Sequence, residues 1–333
     1  MLNKVKRFTL LGLLVAGTTL AFTGCGTTSQ QNTQTAQAID SWSETFDGAT
    51  TNFSVSAPPT HAVSMSQATT EMMLQLGLSD KMAGTAFKEE EIYGPLQGEY
   101  DKVKVLSDKW PSYEVFMSVK PDFATGWPDS FSKRAIPADK MIANNVNIWI
   151  PESMLSTKAD LETNFKDMIM LGKIFGVESK ANEWVTSQRD TLSKVQAQLK
   201  DVPRKRVFIY DSEDGQPFTA FEGYTTNILR LIGADNVMSG LGVDKTWAKG
   251  SWETVIAQNP DYIIIADYSN SIRNDDDFQQ KIAKLKSNPQ LQDITAIKEN
   301  HFIRVKLSEI TPGVRTVDAL KRLAQEIHGI TIQ

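Results

Sequence analysis

Two glutamates stand at the heads of near-copies of one unit. Residues 112–126 read SYEVFMSVKPDFATG and residues 251–266 read SWETVIAQNPDYIIIA. Each runs Ser, aromatic, Glu, an amphipathic stretch and then Pro-Asp, at the same spacing. Ser112 and Ser251 fit helix N-caps, and Glu114 and Glu253 then fall in the first turn, where a carboxylate favours the helix dipole. A helix start favours Ser-x-Glu for that reason alone, so one copy needs no further account. Two copies at equivalent places in two halves need more than that.

A second set of side chains offers binding rather than reaction. In alternating α/β chains, ligands meet the loops beyond the carboxyl ends of strands. Those loops hold Phe87, Lys88, Trp110, Trp127 and Arg134 in the first half. In the second half they hold Tyr210, Asp211, Phe218, Phe221, Tyr224, Trp247, Tyr268 and Arg315. Aromatic side chains bury much area at little entropic cost, and arginine suits an anionic chelate. Each aromatic also has an alternative use in lobe packing. Trp127 (GWPDS) and Trp247 (KTWAKGS) sit among polar, turn-like residues and are the stronger site candidates. Arg315 could equally pair with an acid of its own half.

Catalytic signatures are missing: there is no GxSxG, HExxH, P-loop or CxxC. Asp275, Asp276 and Asp277 read as a solvated helix start. The three histidines, His61, His301 and His328, have no metal-cluster spacing. No enzyme activity, cofactor or directly bound metal is therefore expected; an exported hydrolase and a structural lipoprotein are the alternatives from other classes.

The elements that must position these residues alternate. HAVSMS, KMAGTAF, KVKVLS, DFATGW and VNIWIP read as strands, with helices at ATTEMMLQLGL, SYEVFMSVK and, in part, SKRAIPADKMIANN. RVFIYD, DYIIIAD and HFIRVKL are strands of the second half. Its helices are YTTNILRLIGA, SWETVIAQN, DDDFQQKIAKLKSN, PQLQDITAIK and VRTVDALKRLAQEIHGI. Such alternation predicts βαβ units and mostly parallel sheets. Between the halves, 159–176 and 179–201 read as helices, the second spanning roughly 33 Å at 1.5 Å per residue.

The amino terminus carries an address. Lys4, Lys6 and Arg7 precede the apolar stretch Phe8–Phe22, too short for a comfortable membrane span. Phe22-Thr23-Gly24-Cys25 follows, and Cys25 is the only cysteine of the 333 residues. It resembles a bacterial lipobox, with Phe22 where Leu is usual, and implies lipidation of Cys25. A lone cysteine forms no internal disulfide. The expected organisation is a signal peptide over 1–24, a flexible tether over 25–52, an N-terminal α/β lobe over 53–160, a helical connector over 161–202 and a C-terminal α/β lobe over 203–333. The formal charge of −5 grows more negative once the basic leader is removed, which argues against nucleic acid as partner.

From residue 60 onward the order of motifs resembles the substrate-binding lipoproteins of bacterial ABC importers for iron-siderophores, haem and cobalamin. SMSQATTEMMLQLGLSDKMAGTAF, the two Glu units and YTTNILRLIGADNV carry the resemblance. It implies two α/β lobes with mostly parallel central sheets joined by a single long rigid α-helix, the class III periplasmic-binding-protein fold. It further implies a monomer, anchored outside the cytoplasm through Cys25, that takes a metal chelate into the inter-lobe cleft. Glu114 and Glu253 match the family's permease-docking glutamates. An iron-siderophore leads, with cobalamin and haem open; a catecholate chelate needs Arg134 and Arg315, whereas cobalamin needs aromatic walls and amide hydrogen bonds.

Overall fold

The computed structural model describes residues 40–269 and 277–332. The signal segment, Cys25 and Asp275–Asp276 lie outside the described residues. The strands are β1 Asp40–Phe46, β2 Ala49–Val55, β3 Ala62–Ser64, β4 Met82–Ala86, β5 Val105–Ser107, β6 Phe123–Thr125 and β7 Asn147–Trp149. They continue with β8 Lys205–Tyr210, β9 Ser212–Asp214, β10 Gln216–Ala220, β11 Ala234–Asn236, β12 Trp247–Lys249, β13 Tyr262–Ala266 and β14 Phe302–Val305.

Two parallel sheets form the frame. The N-terminal lobe orders its strands β5-β4-β3-β6-β7 and the C-terminal lobe β11-β8-β13-β14. Ala62 is opposite Met82 on one side and Phe123 on the other, and Ile264 is opposite Ile209 and Ile303. Their apolar strands are covered by helices on both faces, as parallel sheets require.

The doubled unit occupies the same place in each lobe. Ser112 Oγ accepts from Val115 N at 3.3 Å and Ser251 Oγ from Thr254 N at 3.1 Å, capping helices Tyr113–Ser118 and Trp252–Gln258. The Pro-Asp that follows has a structural task of its own. Asp122 donates its N–H to His61 O at 3.2 Å, and its carboxylate accepts from His61 N at 3.0 Å. Asp261 does the same with Arg206, at 2.8 Å and 2.7 Å. Each aspartate thus pins the start of the neighbouring central strand, β3 or β8.

Helix Glu178–Leu199 runs between the lobes. Its buried stripe is Ala181, Val185, Val195 and Leu199, which joins one continuous core drawing on both lobes. Gly172 of helix Leu161–Ile174 lets it approach, since a Cβ there would lie 2.7 Å from Ala181 Cβ. Near its other end, Gln196 donates to Leu231 O at 3.2 Å.

Two features depart from expectation. Residues 40–55, placed largely in the tether, form an antiparallel hairpin instead. Asp47 and Gly48 turn it with φ of 47° and 81°, the left-handed pair that a two-residue hairpin turn requires. Its Trp42 Nε1 donates to Ile148 O at 2.7 Å, and Glu44 Oε1 accepts from Ile150 N at 2.9 Å, so it belongs to the N-terminal lobe. The C-terminal lobe also carries a second, antiparallel sheet, β12-β10-β9.

Candidate ligand cleft

A cleft of about 540 Å³ opens between the lobes, lined by Phe87, Glu89, Trp110, Trp127, Pro128 and Asp129 from one side and by Asp211, Phe218, Trp247, Tyr268, Leu307 and Thr311 from the other. A smaller recess of about 80 Å³ continues inward past Gln67, Ala68, Glu90 and Ser308.

Each wall carries a stacked aromatic pair. Phe87 lies on Trp110 with ring centroids 4.3 Å apart and planes 9° apart. Trp110 is fixed by its Nε1, which donates to Met65 O at 3.0 Å. Phe87 sits at φ 59°, an uncommon conformation for a bulky residue that costs about 1–3 kcal/mol and recurs at ligand sites. On the opposite wall, Phe218 and Trp247 stack at 6.2 Å and 19°. The small antiparallel sheet sets this pair: Phe218 is opposite Lys249, so Trp247 is its diagonal neighbour on the same face.

Trp127 is held by a close turn. A Cβ on Gly126 would stand 2.8 Å from Ser130 Oγ and 2.9 Å from Met65 Cβ, so glycine lets the chain pass and present the indole. Trp127 Nε1 donates to Glu89 at 3.1 Å. Tyr268 enters from the end of β13; its hydroxyl donates to Asp211, and its backbone N–H donates to Asp277 at 3.1 Å. Asp277 is buried against Lys281 at 2.7 Å rather than solvated.

The polar complement is acidic. Glu89, Asp129 and Asp211 line the cleft, and among the described residues no lysine or arginine does. Burial, and secondarily the neighbouring Glu90 and Glu71, push Glu89 up to about 7 against the donor bond from Trp127. Tyr268 is pushed far above the ordinary tyrosine range by burial and by Asp211, so it remains a neutral donor. Among the described residues, no group of three or more His, Cys, Asp and Glu side chains is arranged to hold a metal ion.

Seven of the loop residues singled out in the sequence come together here: Phe87, Trp110, Trp127, Asp211, Phe218, Trp247 and Tyr268. Lys88 is exposed and outside the lining, and five others do not join the site either. Tyr210 is 1% exposed, packed on Phe208 and Trp252, with its hydroxyl on Glu213. Phe221 and Tyr224 are each 3% exposed; Tyr224 shares a 2.7 Å hydrogen bond with Thr316. All three point into the core: Tyr210 at the end of β8, where side-chain direction alternates along the strand, Phe221 just past β10 and Tyr224 at the start of helix Tyr224–Arg230. Arg134 is outside, paired at 2.7 Å with Asp129. Arg315 is 7% exposed and committed to Glu71 and Glu90 of the other lobe, where the sequence had suggested the ligand or an acid of its own half.

Glu89 escaped the sequence reading because it belongs to the run Lys88-Glu89-Glu90-Glu91, which looks like a solvated charge cluster. The signal that could have found it is position: the run directly follows β4.

The proposed docking glutamates lie elsewhere on the surface. Both are exposed, and hydrogen bonds from their own backbone N–H groups and from the capping serines hold Glu114 and Glu253 below the usual carboxylate range. They are therefore fixed anions.

Comparisons with known proteins agree on the class. The family model described as periplasmic binding protein matches residues 63–307. The uncharacterized ABC transporter substrate-binding lipoprotein YvrC of Bacillus subtilis (strain 168) is 25% identical over 329 residues, covering 96% of each chain. A vitamin B12-binding protein of Vibrio vulnificus is 22% identical over 284 residues, 84% of this chain and 94% of the relative. A crystal structure of a periplasmic binding protein from Veillonella parvula DSM 2008 is 85% identical, with a TM-score of 0.87, covering 89% of this chain and 99% of that one.

Proposed function

The chain belongs to the periplasmic binding protein family, as an ABC-importer substrate-binding protein of class III fold, and on that premise we propose that its cleft takes a corrinoid of the vitamin B12 type. The observation that carries this reading is the cleft's composition: stacked aromatic pairs on both walls, three carboxylates, and no basic side chain among the described lining residues. A large macrocycle without net negative charge gains contact area from such walls. A tricatecholate iron chelate or the propionates of haem would instead meet carboxylates, at the cost of burying like charges together.

This moves the emphasis away from the iron-siderophore that leads on sequence. The basic residues that a catecholate needs are already engaged, Arg315 in the inter-lobe ion pair and Arg134, itself not a lining residue, on the lining Asp129. A ferric hydroxamate that carries no negative charge is the second reading, favoured by the same acidic lining.

The rest of the proposal follows the family. The protein is held outside the cytoplasm by lipid on Cys25, works as a monomer, and is not an enzyme. It presents the loaded cleft to an ABC permease dimer through Glu114 and Glu253, where arginine partners can grip a carboxylate bidentately.

Calorimetric titration of the full chain in detergent, with cyanocobalamin, haemin, a ferric tricatecholate and a ferric trihydroxamate, tests the ligand. Submicromolar, saturable binding of cyanocobalamin is expected. Binding of the tricatecholate with none of cyanocobalamin overturns the reading.

A further inference from the structure

The four residues 88–91 are charged in sequence but divided in space. Lys88 is exposed. Glu90 is buried and takes Arg315 at 3.2 Å together with the hydroxyl of Ser308. The carbonyl of Glu91 accepts from Arg315 at 2.7 Å and from Gln67 at 3.0 Å. Of the four, Glu89 alone lines the larger cleft, while Glu90 lines the recess behind it. Its backbone N–H is satisfied by Gln67 at 2.9 Å, so its segment is held in place from behind.

The Glu89 carboxylate has one donor, Trp127 Nε1 on Oε2, and no described residue donates to Oε1. An ionised carboxylate offers about four lone-pair sites, so most of its accepting capacity faces the ligand space. The other polar groups there do not fill it. The Trp110 N–H is used by Met65 O, the Tyr268 hydroxyl by Asp211, and Asp129 is held by Arg134. The cleft is therefore short of donors, and the ligand must bring them.

We propose that Glu89 is the specificity-determining residue of the cleft, an assignment that rests on the corrinoid reading. Its carboxylate accepts an N–H of a corrinoid side-chain amide and turns away ligands that present an anion at that position. Glu89 touches the ligand directly; the inter-lobe ion pair behind it only positions its segment.

The charged and titratable groups around it are Glu90 on its own segment, Glu71 on helix Gln67–Gln75, and Tyr268 with Asp211 behind it from the other lobe. The cations beside this cluster are Arg315, already paired with Glu71 and Glu90, and Lys306, which acts on Glu90 and is paired with Asp267 at 3.3 Å. Burial first, and then Glu90 and Glu71, raise Glu89 to about 7. A donor ligand favours the ionised form, so binding releases a proton and tightens as pH rises to and through 7. A charge-assisted hydrogen bond is about twice as strong as a neutral one, which corresponds here to roughly tenfold in affinity.

The test compares cyanocobalamin with its monocarboxylic acids, each with one side-chain amide replaced by a carboxylate. Calorimetry uses the full chain in detergent, wild type and Glu89→Gln, between pH 5.5 and 8.5. Glutamine keeps the acceptor for Trp127, and the amide–acid comparison on wild type depends on no variant. The expected result has three parts. Wild type binds cyanocobalamin roughly tenfold tighter at pH 8 than at pH 5.5. It discriminates against one of the acids by at least about tenfold at pH 8. Glu89→Gln flattens the pH profile and accepts that acid. A variant with the pH profile and acid discrimination of wild type overturns the assignment and leaves the corrinoid reading standing. Failure of wild type to bind cyanocobalamin at all overturns both.

Discussion

Arg315 and Glu71 face each other across the lobe boundary and form a fork-to-fork ion pair, with Nε on one carboxylate oxygen at 2.8 Å and an Nη donor on the other. Glu90 completes the cluster, and both partners of the fork are nearly inaccessible to solvent. The arginine that looked on sequence like a ligand contact is therefore a joint between the lobes.

Arg315→Ala is expected to destabilise the protein by about 3–5 kcal/mol, because it strands two buried carboxylates. Urea denaturation measures this. A loss below about 1 kcal/mol would mean that the pair contributes little to holding the lobes together.

Glu114→Ala combined with Glu253→Ala should abolish uptake in cells while leaving ligand affinity within about twofold, since both glutamates are exposed and apart from the cleft lining. Transport assays on whole cells, paired with calorimetry on the purified variant, separate the two effects. A double variant that binds ligand poorly would remove the docking role.

Trp127→Ala and Trp247→Ala should each weaken ligand binding by about 1–3 kcal/mol through lost contact area. Thermal stability should change less than for Phe221→Ala, whose side chain is core. Equal losses of stability at all three positions would reassign the tryptophans to packing.

Acid should stabilise the hairpin. Burial raises Glu44 to about 7 and Asp167 to about 6. A carboxyl whose folded pKa is raised holds a proton that the unfolded chain has released. Its contribution is present in full below the unfolded value near 4 and is lost as pH rises through 6–7. Between pH 5 and 8 wild type should therefore lose about 1–3 kcal/mol that Glu44→Gln does not lose in full. Melting curves across that range read the difference; parallel pH slopes for the two proteins would contradict it.

Asp122→Ala and Asp261→Ala should cost similar amounts, about 1–3 kcal/mol each, as each unties the start of a central strand. Hydrogen exchange at the N–H groups of His61 and Arg206 should accelerate in the respective variant only. Unchanged exchange would show that backbone pairing alone holds those strand starts.

Much of this architecture is legible in sequence, since long apolar strands such as YIIIA and helices with clear stops announce themselves. The Asp47-Gly48 turn between Trp42, Phe46, Phe53 and Val55 was also readable, as the dipeptide is a strong hairpin signal; the polar residues around it masked it. Strands Ser212–Asp214 and Gln216–Ala220 are short, polar and separated by Gly215 alone, so no periodicity marks them. The cleft was half legible. Position at a strand end locates Trp127 and Tyr268, but it does not say which way Tyr210 points, nor that Glu89 and Glu90, adjacent in sequence, serve different purposes.

The hairpin's two side-chain links have a further consequence. Strand β7 is the last of its sheet, and Trp42 and Glu44 engage backbone groups at Ile148 and Ile150 along it. An unguarded outer strand is a template on which another chain can add a strand of its own. With those backbone groups already engaged by the hairpin, this edge is guarded against strand addition by a second chain.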